Sequence, residues 1–302
     1  MPGDPAKELK KMFQVPLQEL HLGPAVIRES GIASATANYT VAVKRFKKTL
    51  RFGNELEMHL HSQLRHPNIV QFMGVIVDFD ERGWLPYGFM MESVNMGSLD
   101  SLLDASRAVF PSEPLPFRLR LEIGAQFAQG LAYLHRQQIV HFDVKPLNLL
   151  LKRENGQMVA KVIDLGYSKR MEGGTVDARK SSSSGYRGTR KYLAPEIVLH
   201  TESVNEKVDV YSFGVSLWKM YVRRSPYEGY SKDDISNRIK AGDPIPLPDL
   251  ETCEPMWQEL IKACTRWEPE DRPSMAEVAA QLEHWLQKVS KSVSADQYSI
   301  FD

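Results

Sequence analysis

The chain has 302 residues, 42% hydrophobic and 25% charged, which fits a globular protein of one large domain or two lobes. Lysine plus arginine and aspartate plus glutamate number 38 each, so the formal net charge is zero and neither nucleic acid nor an anionic membrane is expected as a partner. Two cysteines, Cys253 and Cys264, exclude a disulfide framework and lack zinc-ligand neighbours, and no apolar run approaches the roughly 20 residues that span a bilayer.

Residues 1–16, with proline at 2, 5 and 16, read as a loose leader without the apolar core of a secretory signal. TVAVKRF is β-branched and predicts a strand. After Gly53, NELEMHLHSQL places Leu56, Leu60 and Leu64 four apart, on one face of a helix. NIVQFMGVIV and YGFMME predict two further strands joined by the turn-prone, acidic DFDERGWLP.

Beyond NMGSL the pattern turns helical. RLRLEIGAQFAQGLAYLH repeats Leu121, Ala125, Ala128 and Ala132 at helical spacing, and VDVYSFGVSLWKMYV is apolar nearly all round, as a central core helix is. MAEVAAQLEHWLQKV sets Val278, Leu282 and Trp285 on one side of a closing helix. Residues 172–188, EGGTVDARKSSSSGYRG, carry Gly, Ser and charge without apolar periodicity and predict a mobile functional loop. Strands first and helices after predict an α+β chain, divided into a leader (1–16), a first lobe (17–94), a second lobe (95–290) and a tail (291–302).

HFDVKPLNLL sets Asp143, Lys145 and Asn148 in an apolar stretch. LNLL followed by LK, and VAKVIDLGYS, predict two strands around a turn at 154–156, an arrangement that lets Asn148 and Asp164 approach one cleft. Asn and Asp oxygens suit Mg²⁺, which takes its other ligands from water and phosphate. Asp143 is then left to accept a proton or orient a hydroxyl, and Lys145 to neutralise a phosphoryl group in transfer.

Together with VAVK, DLG, GTRKYLAPE, DVYSFGV and WEPEDRPSM, in that order over about residues 20–287, these residues resemble the protein kinase family. The resemblance implies a two-lobed protein-kinase-like fold, with a small antiparallel-sheet N-lobe carrying one main helix and a larger helical C-lobe. It assigns Lys44 to the α- and β-phosphates of ATP, with Glu57 as its ion-pair partner and Glu55 as the alternative. It sets Ala42 and Leu150 on either side of the adenine and Met91 at the gatekeeper position, with Glu92 to Asn95, Val94 among them, offering backbone groups to the base. Asn148 and Asp164 would hold Mg²⁺, with Mn²⁺ as an alternative. Thr189 and Glu196 belong to the GTRKYLAPE segment, Asp209 opens the central helix, and Arg272 pairs with Glu196. At His61, where the family is usually apolar, a satisfied core histidine is expected rather than a catalytic one.

Three departures stand out. The glycine-rich phosphate loop is degenerate, with Gly23 or Gly31 alone in register, and Ser30, Gly31 and Ser34 would lie near its tip. Phe142 replaces the arginine that pairs with an activation-loop phosphate, which changes regulation more than chemistry. Leu147 and Lys219 stand where kinases preferring basic substrates have glutamate, so no strong preference for upstream arginine is expected.

HPNIVQFMGV, DVYSFGVSLW and WEPEDRPSM are most similar to the tyrosine-kinase-like group, whose members mostly phosphorylate Ser and Thr, and Lys145 and Thr189 agree with that acceptor. Ser181–Ser184, beside Arg179, Lys180 and Arg187, are either autophosphorylation sites or a solvated linker. The function implied is ATP-dependent phosphorylation of protein Ser/Thr hydroxyls, in the cytoplasm with a nuclear location also allowed. The alternative is a pseudokinase that binds nucleotide or scaffolds partners.

Overall fold

The computed structural model of the chain describes residues 14–16, 21–22, 32–36, 40–46, 51–80, 83–177 and 188–298, which fall into two compact units. The first comprises 1–95 with 163–166, and the second 96–162 with 167–302.

The first unit is built on six strands: β1 (Gln14–Pro16), β2 (His21–Leu22), β3 (Ile32–Thr36), β4 (Thr40–Arg45), β5 (Phe72–Asp80) and β6 (Gly83–Glu92). Their order is β1-β5-β6-β4-β3-β2, antiparallel except for the parallel pair β1 and β5. Alternation in TVAVKR buries Val41 and Val43 with Ile76 and Met90 and turns Ala42 and Lys44 to the other face. Gln14, Val15 and Pro16, expected in the leader, pair with Val75, Ile76 and Val77, because the edge of β5 offers them backbone partners.

Helix α1 (Arg51–Ser62) buries Glu57, Met58, Leu60 and His61, whereas Leu56 is 37% exposed. Of the expected Leu56–Leu60–Leu64 stripe, Leu60 and Leu64 are buried and Leu56 alone departs. Positions spaced by four drift along a helix of 3.6 residues per turn, and the sheet meets the face that carries Glu57 and His61.

Among the described residues, seven helices form the body of the second unit: α2 (Leu99–Val109), α3 (Phe117–Arg136), α4 (Pro195–Val198), α5 (Lys207–Val222), α6 (Lys232–Lys240), α7 (Pro255–Cys264) and α8 (Met275–Tyr298). Every residue of α5 from Val208 to Met220 is buried, as its all-round apolarity requires. Leu121, Ala125, Ala128 and Ala132 all lie on the buried side of α3. Ser98 caps α2 by accepting the Ser101 N–H at 3.1 Å. The last helix continues through Tyr298, past residue 290 where a tail was expected to begin.

Short strands complete the unit: β7 (Ile139–Val140), β8 (Leu149–Glu154), β9 (Gln157–Val162), β10 (Lys169–Arg170), β11 (Val176–Asp177) and β12 (Ser203–Val204). Strands β8 and β9 form the expected hairpin, paired from Leu149↔Val162 to Glu154↔Gln157. Its two turn residues, Asn155 and Gly156, take φ of 50° and 83°, the sign a tight two-residue hairpin turn demands. The amide of Gln126 on α3 clamps β9, donating to Met158 O at 3.0 Å and accepting from Ala160 N at 2.8 Å.

The predicted loop 172–188 is ordered at its start: Glu172 bridges to Thr175, and β11 pairs antiparallel with β12. Val176 is buried there, an apolar anchor too brief for a periodicity argument to register. Residues 178–187, with Ser181–Ser184, lie outside the described residues, as do 23–31, where the degenerate glycine-rich loop is expected.

Candidate active site

In the first unit Lys44 is the centre. It leaves β4 on the face opposite the core valines, and its Nζ donates to Glu57 Oε1 at 2.5 Å and Asp164 Oδ1 at 2.7 Å. Burial works against the ammonium, but the two carboxylates outweigh it and hold the pKa above the ordinary lysine value. Lys44 is therefore a fixed cation across the physiological range. Of the two candidate partners Glu57 is the one joined to it; the side chain of Glu55 lies outside the described residues.

Asp164 holds a left-handed backbone, φ 65°, unusual for a non-glycine residue, and its Oδ1 accepts the Gly166 N–H at 3.4 Å. His61, one turn along α1 from Glu57, is a core residue as expected. Its Nε2–H donates to Val70 O at 2.7 Å, its ring meets Phe89 edge-on, and burial pulls its pKa down to about 4.

Met91 on β6 is buried, and its β4 neighbour in register is Ala42. Glu92 is tied to Gln71 twice: its N–H donates to Gln71 O at 3.0 Å, and its Oε1 accepts Gln71 N–H at 2.8 Å. Glu92, Ser93 and Val94 are all partly exposed, and in the second unit Leu150 is half-buried on β8.

The second unit centres on Asp143, whose carboxylate accepts four hydrogen bonds. Oδ2 receives Lys145 Nζ at 2.7 Å and Asn148 Nδ2 at 2.9 Å, while Oδ1 receives the Thr189 N–H at 2.8 Å and its Oγ1–H at 2.9 Å. Lys145 Nζ also donates to Thr189 Oγ1 at 2.6 Å, closing a ring of three residues. Asn148 Nδ2 reaches Asp143 O as well, at 2.8 Å, which leaves its Oδ1 as the acceptor end of the amide. The two bonds of Thr189 to Asp143 leave no mark in the GTRKYLAPE motif, because the partners are 46 residues apart.

This carboxylate sits on a strained turn. Phe142 has φ 65°, and Asp209 holds the turn by accepting His141 N–H at 2.7 Å, Phe142 N–H at 2.9 Å and His135 Nε2–H at 3.0 Å. A non-glycine residue there costs of order 1 kcal/mol. Charge-assisted bonds to a buried Asp209 and burial of the Phe142 ring offset it. The ring joins Val140, Met171, Val176, Tyr192 and Leu193 in one apolar cluster. Where an arginine would wait for a phosphate, the chain carries a hydrophobic anchor.

Glu196 and Arg272 form the expected pair, bidentate at 2.7 and 2.9 Å, and Arg272 also donates to the carbonyls of Arg266, Lys207 and Trp267. Lys219 is buried and bonded to Asp100, while Leu147 is 47% exposed. Burial pushes Cys253 and Cys264 up to about 12, so neither offers a thiolate at neutral pH. Among the described residues, no group of three or more His, Cys, Asp or Glu could hold a metal by itself, and no helix is long and apolar enough to cross a membrane.

Residues 30–285 match the protein kinase domain family. The chain is 31% identical over 305 residues to a probable serine/threonine-protein kinase, drkD, of Dictyostelium discoideum, covering 96% of this chain and 22% of that protein. It is 32% identical over 243 residues to mitogen-activated protein kinase kinase kinase 12 of Rattus norvegicus, covering 80% and 24%. It is 31% identical over 238 residues to serine/threonine/tyrosine-protein kinase HT1 of Arabidopsis thaliana, covering 78% and 56%. The chain thus spans less than a quarter of the length of the first two relatives.

Proposed function

Since the chain belongs to the protein kinase family, we propose that it transfers the γ-phosphoryl group of ATP to serine and threonine hydroxyls of proteins. The observation that carries this reading is the fourfold-bonded carboxylate of Asp143. Held on both oxygens, this carboxylate is positioned to orient a hydroxyl that displaces one of the four bonds, and to take its proton as the oxygen bonds to phosphorus and the γ-phosphorus–ADP oxygen bond breaks. Lys145, 2.7 Å from the same carboxylate, steadies the negative charge of the group in transfer. Thr189 ties the GTRKYLAPE segment to Asp143, so the substrate-facing loop and the proton acceptor keep one register.

ATP supplies the phosphoryl group when bound, and a divalent cation neutralises its oxygens. The family resemblance assigns Mg²⁺, with Mn²⁺ as the alternative, to Asp164 and Asn148, whose carboxylate and amide oxygens are hard ligands of the kind such a cation takes. Lys44, braced by Glu57, is suited to hold the α- and β-phosphates as a permanent cation. Ala42, Met91, Glu92, Val94 and Leu150 are assigned to the adenine by the family resemblance. Exposed Leu147, and a Lys219 already bonded to Asp100, favour substrates without upstream arginine.

A pseudokinase has no use for this intact set, which weighs against the scaffold reading. The test is transfer of label from γ-labelled ATP to a general protein substrate, with Mg²⁺ and Mn²⁺ arms and Asp143→Asn as control. Label on serine and threonine that drops at least about a hundredfold in the variant is expected. No label over hours from folded protein with either cation would return the reading to a scaffold.

A further inference from the structure

Two residues past Thr189 stands Lys191, on a 3₁₀ turn, Arg190–Tyr192, that rises only about 2 Å per residue. Thr189 itself touches the Asp143 carboxylate, so the acceptor hydroxyl of any substrate comes within a few ångströms of this turn. Lys191 is partly exposed, and its Nζ donates to the hydroxyl of Ser225 at 2.9 Å. Among the described residues it forms no ion pair with a carboxylate.

The neighbouring cations differ in this respect. Lys145 is joined to Asp143, Lys219 to Asp100 and Arg224 to Asp249. The nearby carboxylates do not reverse the balance. Burial, helped by Asp100, Asp104 and Asp143, raises the pKa of Tyr192, so these acids lie within electrostatic reach of the turn. Of them Asp100 and Asp143 are neutralised by lysines, and Asp104 is exposed, where water screens it. Arg190 adds a second cation to the turn, its guanidinium donating to the hydroxyl of Ser236.

We infer that Lys191 selects substrates carrying an anionic side chain, a carboxylate or a phosphate, within two residues of the phosphorylated Ser or Thr. The inference rests on the kinase reading above and names its substrate class. A partly exposed ion pair is worth about 0.2–1 kcal/mol, so preference should be about 1.4- to fivefold in kcat/KM.

The experiment is a positional-scanning peptide library with a central Ser or Thr and Asp, Glu, phosphoserine, Arg or Ala fixed at each flanking position. It is phosphorylated by the wild-type chain, by Lys191→Gln and by Lys191→Glu, with melting temperatures confirming that both variants fold. Wild type should favour Asp, Glu or phosphoserine at a position within two residues of the acceptor. The excess of phosphoserine over Asp and Glu tells a pre-phosphorylated substrate from a merely acidic one. Lys191→Gln should flatten that position and Lys191→Glu turn it toward Arg, with turnover on a degenerate library within about twofold. Active wild type without the anionic preference, or an unchanged preference in both variants, overturns the inference and leaves the kinase reading standing. Absence of any Asp143-dependent transfer overturns both.

Discussion

Gly188→Ala is the sharpest perturbation of the catalytic centre. Gly188 has φ 83°, and a Cβ there would stand 2.2 Å from Phe142 O and 3.2 Å from Leu193 Cδ2. The leucine can rotate away. The carbonyl cannot, because its peptide N–H, that of Asp143, donates to His141 Nδ1 and the preceding one to Asp209.

The glycine must therefore retreat by about 0.8 Å, from 2.2 to the 3.0 Å below which real Cβ contacts essentially never fall. Its neighbour Thr189 moves with it and stretches the 2.8 and 2.9 Å bonds to Asp143 Oδ1. Two charge-assisted bonds weakened together cost about 3 kcal/mol, or about a hundredfold in rate. The left-handed backbone adds about 1–2 kcal/mol of strain, a fall of several degrees in Tm.

Gly156→Ala separates the two effects, since Gly156 shares φ 83° but has nothing within 4 Å of its would-be Cβ. It should lose similar stability and no activity. The assay pairs label transfer at saturating ATP with thermal unfolding. A Gly188→Ala enzyme turning over within about threefold of wild type, or a Gly156→Ala enzyme equally crippled, would refute the reasoning.

Phe142→Arg, which reinstates the family's usual residue, should lower stability by several kcal/mol rather than install phosphate control, because it drives a cation into the cluster of Val140, Met171 and Val176; thermal unfolding reads this directly. Glu196→Gln should cost about 3–5 kcal/mol by stranding the buried Arg272 charge, seen as a lowered urea midpoint, while Arg118→Gln, at the exposed i,i+4 pair with Glu122, changes it by less than about 1 kcal/mol. His61 is held near pKa 4 when folded, against about 6.5 unfolded, so between these pH values the unfolded chain binds more protons and stability falls as pH falls. Urea titrations at pH 7, 6 and 5 should show a slope of up to about 1.4 kcal/mol per pH unit that His61→Leu reduces.

The sequence by itself determined the element types and the catalytic vocabulary. Apolar spacing identified α3, all-round apolarity α5 and β-branched residues β4, and two apolar runs around a turn at 154–156 marked the β8–β9 hairpin, because these signals act over a few residues. Residue order and motif likewise named Lys44, Asp143, Asn148, Asp164, Glu196 and Arg272.

Contacts between distant residues were decided only by the tertiary structure. Helical drift made Glu57 and His61, rather than Leu56, the inward face of α1. The edge of β5 turned the end of the leader into a strand, and the cluster beneath Phe142 gave that residue its role as an anchor. Thr189 reached Asp143, and Lys219 reached Asp100, across chain separations of 46 and 119 residues. Such pairings leave no local period in the sequence, because their energy comes from burial and complementary charge that exist only after the chain has closed on itself.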